Sequence, residues 1–120
     1  MKKIYLAVPY SGIKESSYNQ VTRAAAIIIS EKGYNVFSPV TLSHEFSKFD
    51  DLNIPSTWDY WCEVDYQYID WCDEVWILVP KEGREYIVNS IGVQAEIKYA
   101  KENDKRIRWI KVIDNTFKFL

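Results

Sequence analysis

Four short apolar runs alternate along the chain with longer stretches of helical period. Lys3–Val8 (KIYLAV) stays apolar until Pro9, the pattern of a strand buried on both faces. Ser16 or Ser17 can cap a helix continuing to about Lys32, with Gly33 as its C-terminal stop. Asn35–Ser38 (NVFS), halted by Pro39, reads as a second strand, and residues 40–56 read as a polar loop holding the only histidine, His44. A loop of that length in a small domain is usually functional or mobile. Ser56 or Thr57 opens a second helix through Cys72, Glu74–Val79 (EVWILV) is a strand ended by Pro80, and Lys81–Asn89 is a loop. A third helix runs from Ser90 to about Asn103, and Arg106–Ile113 (RIRWIKVI) is the last strand, with Asp114–Leu120 offering a short edge strand.

The order βαβαβαβ predicts an α/β fold in one domain spanning residues 1–120. Right-handed crossovers make it a single doubly wound, Rossmann- or flavodoxin-like parallel sheet of four to five strands flanked by helices. Ligands of such sheets bind beyond the carboxyl ends of the strands, at the switch point. Those ends deliver the segments Pro9–Gly12, Ser38–His44 and Pro80–Ser90.

Two helices break their own pattern. At about 100° per residue, Gln94, Lys98, Lys101 and Glu102 form the polar face of the third helix. Glu96 falls opposite them, among Gly92, Val93, Ala95, Tyr99 and Ala100. In the second helix, Trp58, Trp61, Cys62, Tyr68, Ile69 and Cys72 form the apolar arc, and Asp65 lies near its centre. An ionised carboxylate away from water costs several kcal/mol unless it is paired; otherwise its pKa rises. Pairing with a cation such as Arg23, or capping of a loop, is the plain explanation for either acid alone. Two such acids beside strand-end loops point instead to chemistry. Glycosyl transfer needs this combination: one carboxylate attacks or stabilises the anomeric carbon, and a second acidic group helps the leaving group depart. Ser90 and the free N–H groups of the following turn form a helix N-terminus able to hold a phosphate, and Gly92 lets a ligand approach the backbone. Ser90 as a simple cap, and Gly92 as a packing position, are the competing readings.

Composition narrows the partners. The chain is 48% hydrophobic and 27% charged, an ordinary globular balance, with five Trp and nine Tyr available to line a pocket. A net charge of −2 without a basic stripe argues against a nucleic-acid polymer. Lys105–Arg108 (KRIR) reads as a helix cap leading into the last strand. Cys62 and Cys72 are ten residues apart, a spacing of neither a zinc knuckle nor a redox pair, so reduced thiols and a cytoplasmic location are expected. The first apolar run is too short for a signal peptide or membrane span. With one histidine and no P-loop, dinucleotide fingerprint or deaminase cysteine pair, no metal and no cofactor are expected.

The segments YLAVPYSG (5–12), VFSPVTLSH (36–44), the Trp58–Asp73 run and SIGVQAE (90–96) with its trailing IKYA resemble, in this order, the nucleoside 2-deoxyribosyltransferase superfamily. The likeness is strongest to its small bacterial and phage branch grouped as a domain of unknown function. SIGVQAE is similar to a serine–x–glycine–x–x–x–glutamate segment of the deoxynucleoside-monophosphate N-glycosidases. The resemblance implies Glu96 as nucleophile, and Ser90 and Gly92 as phosphate-contacting positions. It also implies Asp65, eight residues before Asp73, as the second acid, and Pro9, Tyr10, Ser11 and Gly12 as a loop holding sugar or base. PYSGIKES has fewer glycines and arginines than the matching glycosidase loop, and KEGREYIVN is longer than its counterpart. His44 is a candidate contact to phosphate or base, or a loop cap. A neighbouring subunit often completes the pocket in this superfamily, and the rings of the second helix, with Trp71 off its apolar arc, suggest a homodimer or homotetramer. The expected activity is cleavage or transfer at the N-glycosidic bond of a (deoxy)nucleoside or its 5′-monophosphate. The alternative is a non-catalytic module that senses a nucleotide derivative.

Overall fold

A computed structural model describes residues 1–120. Its sheet contains β1 (Lys3–Ala7), β2 (Asn35–Phe37), β3 (Glu74–Leu78), β4 (Arg106–Ile113) and β5 (Thr116–Phe119), in the spatial order β2-β1-β3-β4-β5. The first four strands are mutually parallel, with Tyr5 opposite Phe37 on one side and Val75 on the other. The tail forms the expected edge strand, antiparallel to β4, through a turn in which Asp114 takes φ 55°. The helices are α1 (Lys14–Lys32), α2 (Pro39–Ser47), α3 (Trp58–Trp71), the single turn α4 (Glu85–Val88) and α5 (Ile91–Glu102).

Because the chain steps from β1 outward to β2 and then back across to β3, the switch point lies between β1 and β3. Strand alternation sends Ile4, Leu6 and Val8 to a core shared with Val21, Ala24 and Ile28 of α1. Tyr5 and Ala7 face the opposite core, with Ile69 of α3 and Val93 and Ala100 of α5. Each buried Leu or Ile contributes roughly 2 kcal/mol. Lys105 donates to the carbonyls of Asp70 and Cys72 at 3.1 and 2.7 Å, closing the C-terminal end of α3.

The structure corrects the sequence reading at three places. Residues 40–56 are not all loop: α2 begins at Pro39, where Ser38 is extended and its Oγ accepts the Thr41 N–H at 3.4 Å. Serine as N-cap with proline at the first helical position is a start signal, but Val40 and Thr41 dilute the helical pattern behind it. Ser16 and Ser17 do not cap α1, which starts at Lys14; Ser17 Oγ instead donates to the Pro9 carbonyl, and Ser16 Oγ donates to Glu82 at 2.5 Å. The Lys81–Asn89 loop contains the turn α4. Gly33, at φ 66°, ends α1 as expected.

Candidate active site

Glu96 and Asp65 meet under the α3–α5 face of the sheet. Both are buried, at 5% and 6% exposure, and no cation pairs with either. Arg23 lies elsewhere, donating to Asn115. The group between the acids is the hydroxyl of Tyr5, from the middle of β1. It donates to Glu96 Oε2 in a short hydrogen bond, and it lies close enough to Asp65 to favour that acid's ionised form. Asp65 Oδ1 is buried and has no hydrogen-bond partner. Sequence reasoning missed Tyr5. Its signal was a lone phenol in a strand buried on both faces, because a buried tyrosine hydroxyl requires a partner.

Burial pushes the Asp65 carboxyl up to about 7, against the opposing hydrogen bond from Tyr5. Burial and then the Asp65 charge push Glu96 up to about 8, again opposed by Tyr5. Burial and both acids raise the Tyr5 phenol well above its usual range, so it stays protonated and donates. Near neutrality the two carboxyls hold about one proton between them. Glu96 is raised further than Asp65 and so keeps that proton in the ligand-free protein, while the Tyr5 hydroxyl opposes this by favouring the charged form of Glu96. Glu74, also buried, makes an instructive contrast. Burial raises it, but Lys2 at 2.8 Å and the Trp76 indole N–H at 2.9 Å more than offset this, and its net shift is downward.

The other candidate residues divide among three places. Ser11 and Ser90 come together, lining a cleft of about 390 Å3 with Glu85, Tyr86 and Asn89. Neither acid is among its lining residues. Ser90 is the N-cap of α5, its Oγ accepting the Val93 N–H at 3.1 Å, about 9 Å along the axis from Glu96. Gly12 turns the first loop at φ 83°, a left-handed conformation that favours glycine, and a Cβ there would be 3.8 Å from Tyr86. Pro9 accepts from Ser17 and so pins the loop to α1. Gly92 faces α3, not the sheet: a Cβ would stand 3.4 Å from Trp58. Since Gly92 precedes Glu96 by one turn, and Trp58 precedes Asp65 by two, the Trp58 ring lies on the faces that carry the acids.

His44 belongs to α2 and is buried, with both ring nitrogens engaged: Nδ1 with the Tyr10 hydroxyl at 2.6 Å and Nε2 with Glu15 at 2.9 Å. The structure therefore presents no free His44 nitrogen to a ligand. Trp71 is half-buried against the α3–α5 core, with Lys3 5.6 Å from its ring, so it is not a surplus ring on the surface. A second groove, of about 270 Å3, lies between α1, β2 and α2, lined by Thr22, Phe37, Thr41 and Glu45 among others.

A switch point between β1 and β3, with helices on both faces and one antiparallel edge, defines a doubly wound α/β domain of deoxyribosyltransferase-like fold. The chain belongs to the family described as "Domain of unknown function (DUF1937)", which matches residues 2–111. Among solved structures, the 2-deoxyribosyltransferase from the psychrotolerant bacterium Bacillus psychrosaccharolyticus is similar to it with a TM-score of 0.63 and 19% identity, over 93% of this chain and 77% of that one. No curated protein matches the chain. No helix is long and apolar enough to cross a membrane.

Proposed function

We propose that the chain is one domain, residues 1–120, that breaks or transfers the N-glycosidic bond of a (deoxy)nucleoside or its 5′-monophosphate. The observation that carries this reading is the pair of buried acids beside the Tyr5 hydroxyl, which donates to Glu96, with Asp65 Oδ1 left unpartnered. A buried carboxyl without a partner costs the protein stability unless a ligand completes it.

In the proposed reaction a Glu96 carboxylate oxygen attacks C1′ of the sugar. The C1′–N bond breaks, its electron pair passes to the base nitrogen, and the Asp65 proton follows to the departing base. In the reacting complex the shared proton passes to Asp65, and the Tyr5 hydrogen bond favours the charged form of Glu96 and aims it. Water then attacks C1′ of the glycosyl ester, losing a proton to Asp65 and restoring the Glu96 carboxylate, which makes a hydrolase. A second base taking the place of water makes a transferase. Trp58 supplies a ring for the nucleobase, and the Ser11–Ser90 cleft receives the 5′ end of the sugar, with Gly92 and the loop Pro9–Gly12 as its surroundings. The reaction needs no cofactor.

The similarity to a 2-deoxyribosyltransferase supports the nucleoside class. Both cysteines are free, in keeping with a cytoplasmic setting. We further propose a homodimer or homotetramer through α3, whose Tyr60 and Tyr68 remain exposed. A single 14.2 kDa species by light scattering would exclude it.

The test is incubation with a panel of nucleosides and 5′-monophosphates, with chromatography for free base. Base release is expected, falling by several orders of magnitude in Glu96→Gln. Thermal stabilisation by a nucleotide without any base release would favour a sensor instead.

A further inference from the structure

His44 is the one candidate residue the proposed chemistry leaves unused, and its surroundings are specific. The Tyr10 hydroxyl meets Nδ1 at 2.6 Å, Glu15 Oε2 meets Nε2 at 2.9 Å, and the Tyr18 ring stacks on the imidazole at 4.3 Å between centroids. The His44 side chain is 10% exposed, whereas Glu15 is 72% exposed. A carboxylate can only accept from Nε2, so Nε2 carries a proton. Nδ1 is then the ring atom left to accept from Tyr10, whose phenol is held protonated by burial and by the nearby Glu15 charge.

This chain of bonds joins three elements. Glu15 and Tyr18 come from α1, His44 from α2, and Tyr10 from the loop leaving β1. Tyr10 is followed directly by Ser11, one wall of the Ser11–Ser90 cleft, and by Gly12 at its left-handed φ. The loop closes on itself through Ile13 N–H to the Tyr10 carbonyl at 3.3 Å. Holding the Tyr10 ring therefore holds the whole turn.

We propose that His44 is a positioning residue: through Nδ1 it fixes Tyr10, and through Tyr10 it sets the Pro9–Gly12 loop against Ser90 for ligand binding. Its effect on turnover rests on the nucleoside reading above, whereas its effect on the loop does not.

Two substitutions divide the ring into its halves. His44→Asn places an amide oxygen near the Nδ1 position, where Tyr10 can still donate, and gives up Glu15. His44→Gln places an amide nitrogen near Nε2, keeping Glu15 and giving up Tyr10. Both lose the stack on Tyr18 equally, so their difference sets the Tyr10 bond against the Glu15 bond, and Tyr10→Phe isolates the first. Hydrogen exchange at the Ile13 amide of the ligand-free protein is the first readout. His44→Gln should speed it about fivefold over His44→Asn, the scale of one hydrogen bond, and Tyr10→Phe should match His44→Gln. In turnover, His44→Gln should raise KM by a similar factor with kcat within about twofold, while His44→Asn stays near the parent. Equal exchange in the two variants overturns the proposal, and so does separated exchange with equal KM. Separated exchange in a protein that releases base from no nucleoside supports the loop anchor and refutes the glycosidic reading.

Discussion

Replacing Glu96 with glutamine should stabilise the protein at alkaline pH while removing its proposed activity. The substitution keeps the side-chain shape and leaves an amide oxygen to accept the Tyr5 hydroxyl, but it abolishes ionisation. Burial and the Asp65 charge raise Glu96 from 4.5 to about 8 in the folded protein. In the unfolded chain it titrates near 4.3. Between those values the folded state keeps a proton that the unfolded state releases. This contribution to stability is thus fully present below about pH 4.5 and is lost as pH rises through about 8. At 1.36 kcal/mol per pH unit, the difference amounts to about 5 kcal/mol as a ceiling. Asp65, raised from 3.8 to about 7, shares the same proton, so the two contributions do not simply add. A loss of that size is comparable to the whole stability of a small domain, about 5–15 kcal/mol.

Urea unfolding at pH 5, 7 and 9 measures it. The parent should lose several kcal/mol across that range, and Glu96→Gln should lose less, becoming more stable than the parent at pH 9 by on the order of 2 kcal/mol. Titrations elsewhere in the molecule occur in both proteins and cancel in the difference. Parallel pH profiles, or a variant less stable than the parent at pH 9, would refute the reasoning. A variant that gains stability and loses base release is what a functional acid produces; an acid retained for folding produces the reverse.

Tyr5→Phe removes the only donor to Glu96, so the carboxylate becomes harder to form, and the acidic limb of the kcat/KM profile should move up by about one pH unit. An unmoved limb would show that Tyr5 does not hold the charge. Gly92→Ala adds a methyl group 3.4 Å from the Trp58 ring, an ordinary van der Waals contact. Helix propensity then dominates, and the urea midpoint should rise by the equivalent of about 0.5–1 kcal/mol. If the backbone at Gly92 meets the ligand, KM rises in the same variant; an unchanged KM assigns the glycine to helix packing.

Periodicity gave the direction of the inward acids and the strands, though it put Tyr68, which is exposed, on the buried arc of α3, and Trp71, which packs on the core, off it. The four parallel strands, the ends of α3 and the inward aim of Asp65 and Glu96 all follow from which positions alternate with which. What periodicity does not contain is the identity of the partner met inside. Tyr5 reaches both acids only because β1 lies centrally between β2 and β3, a placement set by the crossovers. Val40 and Thr41 weaken the helical signal of α2 around His44, and its two partners lie 29 and 34 residues away in the chain.

The buried acids show why the distinction matters for function. Glu74, Asp65 and Glu96 are all less than 8% exposed, so burial alone does not separate them. Glu74 meets Lys2 and the Trp76 indole, and its pKa shift is downward, as for an acid that folding has satisfied. Asp65 and Glu96 share a single phenol and no cation, and both are raised. A fold that needed carboxylates there for stability alone would have supplied them with a positive charge, as it did for Glu74. Withholding one leaves a pair that can keep a proton at neutral pH and give it up to a ligand, which is the property an acid-assisted displacement at carbon requires.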